Sequence, residues 1–344
     1  MKREVLLARL REAVHLQLLI ALENGESVSG ESVRGENVES EILVGGQAVM
    51  EGVMMRAPHS YAVAVRRPDG TLATTTRPIT RPSERHRYWG WPMLRGLATL
   101  GQAMALGVRA LRFSSEQVLE DNPPSEAKPQ SEASKWAITA SIAGSLIFFI
   151  GFYKFLPLLA ATGLQRVWPA FHGQIMFNLA DGVVRILLFL AFMAGLALLP
   201  DIRRVFQYHG AEHKVVFNFE SGQPVDVEHA RAFTTLHPRC GTSFMIVIML
   251  IAMGLYILIP AQTFWMRFIV RIALLPVIAG LAYEIIRFGA KHNRSVFALL
   301  ARPGLWLQRI TTQEPTDEQL ACSIHSLETA MALEKQQGGE AVIA

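Results

Sequence analysis

The 344-residue chain is 51% apolar and only 18% charged, with a formal net charge of +4 and two cysteines. With a positive mean hydropathy, this composition argues against an ordinary soluble enzyme and makes lipid part of the expected solvent. The basic residues sit beside apolar runs rather than in a stripe that tracks phosphates, so nucleic acid is not an expected partner. Cys240 and Cys322 lie in different segments, which disfavours a disulfide framework and fits a reducing compartment.

The opening run, MKREVLLARLREAVHLQLLI, carries Glu4, Arg9, Arg11, Glu12 and His15 at helical spacing. That spacing predicts an amphipathic surface helix rather than a signal peptide. The Gly-Glu/Ser-Val repeat that follows reads as a linker, closing an N-terminal region of 1–41. Residues 42–92 form a small β-rich subdomain: ILVGGQAVMEGVMM, YAVAVRR and TLATTT read as strands, with Pro68-Asp69-Gly70 as a turn. Residues 93–119 are apolar with Arg95 and Arg109 near either end, which predicts an interfacial or re-entrant amphipathic helix. A Pro-rich linker occupies 120–135.

Four apolar segments follow, at Trp136 to Tyr153, Gln174 to Leu199, Gly241 to Met266 and Phe268 to Phe288. A hydrocarbon core needs about 20 helical residues, so each can span it. The expected fold is thus an α-helical polytopic membrane protein of about four transmembrane helices (136–289) with a loop at 201–240 and a C-terminal helical tail at 290–344. The long connections fall on one side and carry Arg203, Arg204, Lys214, Arg231, Arg239, Lys291 and Arg294. The positive-inside rule then puts both termini, the β-rich part and the 201–240 loop in the cytoplasm of a multi-pass plasma-membrane protein.

In that loop, YHGAEHK places His209 and His213 at i and i+4, on one helical face, with Glu212 beside them. Two imidazoles so spaced can share a divalent ion, zinc first among them, and a neighbouring carboxylate can orient or deprotonate a water; the alternative is a pair of interfacial histidines hydrogen-bonded to headgroups or to the loop. A site needs a further ligand, and Glu220, His237 and Cys240 lie in the same loop. His237-Pro238-Arg239-Cys240-Gly241 is a shaped turn before the third span, and three readings of it are open. His237 and Cys240 complete a zinc site, Arg239 and the helix N-terminus hold an anion, or the turn only caps the helix.

Elsewhere, Glu51 in an apolar run demands a partner, Arg56 or another Arg, or a function. Asp181 and Arg185, at i and i+4 inside a span, can neutralise each other. Glu284 near the cytoplasmic end of the fourth span is a catalytic candidate facing the His cluster, with Pro276 and Gly280 able to bend its helix.

GGQAVMEGVMMR, YHGAEHK, HPRCGTSF, LLPVIAGLAYEIIR and PGLWLQRITTQEP, in that order, resemble the signatures of the YqhQ-like family of bacterial membrane proteins, a domain of unknown function. The resemblance runs from about Leu43 to the C-terminal helix, and Asp181 stands where the family leads us to expect Glu. It implies the same boundaries and residues, and a metal-dependent enzyme by label. The leading expectation is a metal-dependent, hydrolase-like membrane enzyme with His209 and His213 as ligands and Glu212 as base. The rivals are a non-catalytic accessory of membrane-protein insertion or quality control, docked on a translocase or membrane protease, and, ranked last, a transporter.

Overall fold

The computed structural model describes residues 44–119, 132–260, 263–291 and 296–337. The N-terminal amphipathic helix, its linker and most of the 120–135 linker lie outside the described residues.

Four strands form an antiparallel meander, β1 (Gly45–Val49), β2 (Gly52–Arg56), β3 (Ser60–Arg66) and β4 (Leu72–Pro78), in the order β1-β2-β3-β4. The register sets Val53 opposite Ala64 and Met55 opposite Ala62 on one face, and Met54 opposite Val63 on the other. The β3–β4 turn uses the expected chemistry. Gly70 adopts φ 85°, and Asp69 Oδ1 accepts from the Thr71 N–H at 2.8 Å.

Eleven helices are described, numbered in chain order. The first, α1 (Pro82–Arg85), is a single turn. Next come α2 (Leu94–Leu119), α3 (Glu132–Val167), α4 (Gln174–Ala197) and α5 (Pro200–Glu220). They are followed by α6 (Val227–Ala232), α7 (Gly241–Leu258), α8 (Phe264–Ala273) and α9 (Leu275–Lys291). The last two are α10 (Val296–Thr311) and α11 (Asp317–Gln336).

The sheet is covered on both faces, which is why GVMM and YAVAV read as continuous apolar runs rather than strict alternation. Val53, Met55, Ala62 and Ala64 pack against Tyr208, Ala211 and Val215 of α5 and Leu320, Cys322 and Leu327 of α11. Val49, Met54, Tyr61, Val63 and Val65 pack against Leu106 and Ala110 of α2. Polar pins fix α11 in place. Ser326 Oγ accepts from the Met55 N–H at 3.1 Å, and the buried Glu334 carboxylate accepts from the His59 N–H at 2.9 Å and the Ser60 hydroxyl at 2.7 Å.

Among the described residues, three helices are long and apolar enough to cross a membrane: Gly144–Val167 within α3, Gln174–Ala197 and Gly241–Leu258. A bent pair, Phe264–Ala273 and Leu275–Gly289, makes a fourth, with a 49° break. The break falls at Leu274, two residues before Pro276, whose ring cannot pack against the Ile272 carbonyl and supplies no N–H to it.

These helices enclose apolar clusters, such as Phe189 with Ile246 and Met249, together with a group of buried charges, and present large apolar side chains outward. Ile147, Phe148, Leu187, Leu258, Trp265 and Ile269 are exposed, whereas Asp181, Arg185 and Arg271 are almost fully buried. Asp181 is the hinge of this interior. It pairs with Arg185 on its own helix and accepts from Arg271 Nη1 of α8 at 2.7 Å. Arg271 Nη2 also donates to Asn178 Oδ1 at 3.0 Å, and the Tyr256 ring of α7 lies 5.3 and 5.0 Å from the two guanidinium carbons. The sequence pairing of Asp181 with Arg185 thus gains a second cation from a helix that was not part of it. Because one carboxylate holds two buried guanidiniums, Asp181→Ala strands both. We expect a loss of about 3–5 kcal/mol in reversible unfolding of the detergent-solubilised protein; a variant within a few tenths of wild type would show that the pairing is dispensable.

Candidate metal centre

The centre is built where α5, the turn before α7 and the end of α10 meet. The i, i+4 spacing brings the His209 and His213 rings together edge-on, with centroids 4.4 Å apart and planes at 64°. Cys240 is the N-cap of α7, its Sγ accepting from the Thr242 N–H at 3.4 Å. The donor atoms of His209, His213 and Cys240 all lie within 4.8 Å of one another, and His209 Nε2 is 3.2 Å from Cys240 Sγ. Ligand atoms around a tetrahedral zinc stand about 3.3–3.8 Å apart, so the cluster is close to that spacing.

The two imidazoles are held in one tautomer. His209 Nδ1 donates to the Thr311 carbonyl at 2.9 Å, and His213 Nδ1 donates to the Thr235 carbonyl at 2.5 Å. A carbonyl can only accept, so in each neutral ring the proton is on Nδ1 and Nε2 is an acceptor, that of His209 accepting from the Cys240 thiol. Metal-binding histidines are oriented by this kind of outer hydrogen bond. His213 Nε2 is buried and has no hydrogen-bond partner among the described residues, an unmet acceptor that a cation would satisfy. Burial also lowers the His213 pKa, which keeps the ring neutral and able to bind.

His237 has the opposite polarity. Its Nδ1 accepts from the Arg239 N–H at 3.2 Å, so a neutral ring carries its proton on Nε2, 3.8 Å from Glu220 Oε2. The residue therefore stands beside the cluster, its ring 5.5 Å from that of His213, as a proton-bearing neighbour. Its pKa is lowered, again by burial. Glu220 is taken up by an ion pair with Arg239, so the cation of the turn has a carboxylate from its own chain.

Glu212 is buried, with Oε2 3.5 Å from His213 Nε2. Burial raises its pKa, against the pull of His209 and His237 and the Gly46 N–H. Its position depends on β1: a Cβ on residue 46 would lie 2.6 Å from Glu212 Cγ and 2.8 Å from the Met54 carbonyl. Gly46, the second glycine of GGQAVMEG, is thus the floor under this carboxylate.

The remaining sequence candidates go elsewhere. Glu51, at the β1–β2 turn with φ 51°, accepts from Arg204 of α5 at 2.5 Å on each oxygen, so its partner is an Arg other than Arg56. Arg56 donates to Gln102 at 2.7 Å. Glu284 is engaged by Arg95 of α2 and by the Met93 N–H at 3.1 Å.

The groups that sequence reasoning missed are mostly backbone. The Thr235 and Thr311 carbonyls carry no side-chain signal at all. Gln308 did carry one, as a glutamine in an apolar stretch of PGLWLQRITTQEP. It is fully buried and staples the turn, accepting from the His237 N–H at 2.7 Å and donating to the His237 carbonyl at 2.8 Å and Ser243 Oγ at 3.0 Å.

A small sheet clasped by helices, apolar helices long enough to span a membrane and a partly buried His-His-Cys cluster together define the class. The chain belongs to the family described as protein of unknown function (DUF1385), whose model matches residues 91–333. It is 35% identical over 297 residues to the uncharacterized protein YqhQ of Bacillus subtilis (strain 168), covering 84% of this chain and 92% of that one. No solved structure matches the chain.

Gly210 lies between the two histidines, and a Cβ there would collide with the Gln313 carbonyl. Gly210→Ala must therefore push away the segment that holds His209 through Thr311. We expect a loss of about 1–3 kcal/mol in chemical unfolding, as for other overpacked contacts; unchanged stability would mean that this close approach is not maintained in solution.

Proposed function

We propose that the chain is a multi-pass plasma-membrane protein in which His209, His213 and Cys240 bind a divalent ion, zinc by preference, at a cytoplasmic hydrolytic centre. The observation that carries this reading is the fixed tautomer of both histidines, which aims two Nε2 atoms at one thiol in a partly buried site. Three protein donors with a fourth position open are the pattern of catalytic rather than structural zinc.

A zinc ion held there would supply a Lewis acid and make a water acidic near neutral pH. The chain's own groups supply the rest. Glu212, buried beside His213, is placed to accept a proton at Oε2. His237 is placed to give one from Nε2, with Glu220 next to it. The strap at 311–314 and the Gln308 staple hold the donors still. Peptide and lipid-linked substrates at the membrane surface are the class that such a centre can reach, since α5 leaves directly from the end of a membrane-length helix. The membrane reading itself is supported by apolar residues facing outward and charges facing inward, the reverse of a soluble bundle.

Purified protein should carry roughly one equivalent of metal per chain, and a His209→Ala, His213→Ala double variant next to none. Elemental analysis of both decides it: near-zero metal in the two samples alike would sink the reading. Sidedness is checked separately in intact cells. Cys240 should resist a membrane-impermeant thiol reagent until the cells are opened, and labelling beforehand would reverse the orientation.

A further inference from the structure

A second cavity, of about 480 Å³, lies where β1 and β2, the 81–90 segment, α2 and the end of α9 come together. Its wall holds four arginines, Arg56, Arg81, Arg95 and Arg287, with Trp89 and Tyr283. The charge on that wall is not balanced. Arg95 is neutralised by Glu284. Arg81 approaches Glu84 at 3.9 Å, but that carboxylate also serves His59 at 3.0 Å. Arg56 donates to the neutral Gln102, and neither Arg56 nor Arg287 has an ion-pair partner among the described residues. Half-buried guanidiniums converging on one space repel each other and lose hydration, a cost that an anion in the space removes.

We propose that this cavity binds a phosphoryl group, with Arg56 and Arg287 as its principal donors. Guanidiniums match the oxygens of phosphate in paired hydrogen bonds, and several around one space select a compact multivalent acceptor over a single carboxylate. The volume is that of a small-molecule site and admits a phospholipid headgroup. Two further features favour a lipid source. Arg287 and Tyr283 lie in the last turns of the bent fourth segment, where it would leave the hydrocarbon. Tyr88 and Trp91, 65% and 55% exposed beside the cavity, are the aromatic type that settles at headgroup level. The lipid source rests on the membrane reading above; the phosphoryl chemistry does not, and neither depends on the metal centre.

The test uses the full chain in detergent, washed free of lipid. It is titrated in separate arms with phosphatidylglycerol and with inorganic phosphate. Bound ligand is counted by native mass spectrometry, and thermal stabilisation is read in parallel. The expected result is saturable binding that weakens at least ten-fold in an Arg56→Gln, Arg287→Gln double variant and is unchanged in Arg112→Gln, an exposed arginine of α2 outside the cavity. Loss confined to the phosphatidylglycerol arm assigns a headgroup, and the same loss with phosphate assigns a soluble phosphoryl ligand at the same site. Binding in neither arm, or binding that the double variant retains in full, overturns the proposal. Should the double variant fail to fold, Arg287→Gln alone carries the comparison, and an absent thermal shift in wild-type protein with both ligands is itself decisive against it. Metal content, measured on the same samples, should not change, which separates this result from that of the His-His-Cys centre.

Discussion

The contact on which the rest of the structure leans is the crossing of residues 311–314 over α5 at Gly210. The Gln313 carbonyl occupies the space a Cβ would fill, and the Gln313 N–H donates back to the Phe206 carbonyl at 2.9 Å. That closeness lets the Thr311 carbonyl reach His209 and sets Glu314 2.9 Å from Lys214. It also fixes where α11 starts, and α11 covers one face of the sheet. One glycine thereby joins the sheet, the helical tail and the histidine face of α5. A side chain there would separate elements that no other contact brings together in the same way.

Helix α5 is correspondingly unusual, since residues on several of its faces are buried. Tyr208, Ala211 and Val215 serve the sheet core, Glu212 rests against β1, His213 meets the Thr235 carbonyl, and the buried Lys214 donates to the Arg231 carbonyl at 3.0 Å. A helix carrying this many polar groups inside can persist only if each finds a partner. Nearly all do. The exceptions on this helix are His213 Nε2 and Asn218 Oδ1, both buried without a hydrogen bond among the described residues. Of the two, His213 belongs to the His-His-Cys cluster.

The membrane-length helices follow that rule less strictly, since Arg185 Nε and Nη1 have no hydrogen-bond partner among the described residues. One carboxylate, Asp181, holds cations from two helices while Tyr256 presents its ring to both. The outward surface is left to Leu, Ile, Phe and Trp. The interior of this bundle is therefore specified by charge pairing as well as by the apolar packing of residues such as Phe189, Ile246 and Met249.

Much of this was legible in the chain itself. The apolar segments, the strand runs, the Pro68-Asp69-Gly70 turn and the Pro276 bend follow from hydropathy and local backbone chemistry, which act within a few residues. The i, i+4 relation of His209 and His213 and of Asp181 and Arg185 is likewise fixed by helical geometry, and the ordered motifs were enough to point to the family. What the sequence left open were matters of distance through space. It offered His237, Cys240 and Glu220 as equal companions to the histidines. Only the tertiary structure separated them, bringing Cys240 to the imidazoles, turning His237 the other way on the Arg239 N–H and giving Glu220 to Arg239. It likewise gave Glu284 to Arg95 and Glu51 to Arg204. The physical reason is that carbonyl positions and ion-pair partners are set by which elements cross, as at Gly210 and Gln313, and no local pattern encodes a crossing 103 residues away along the chain.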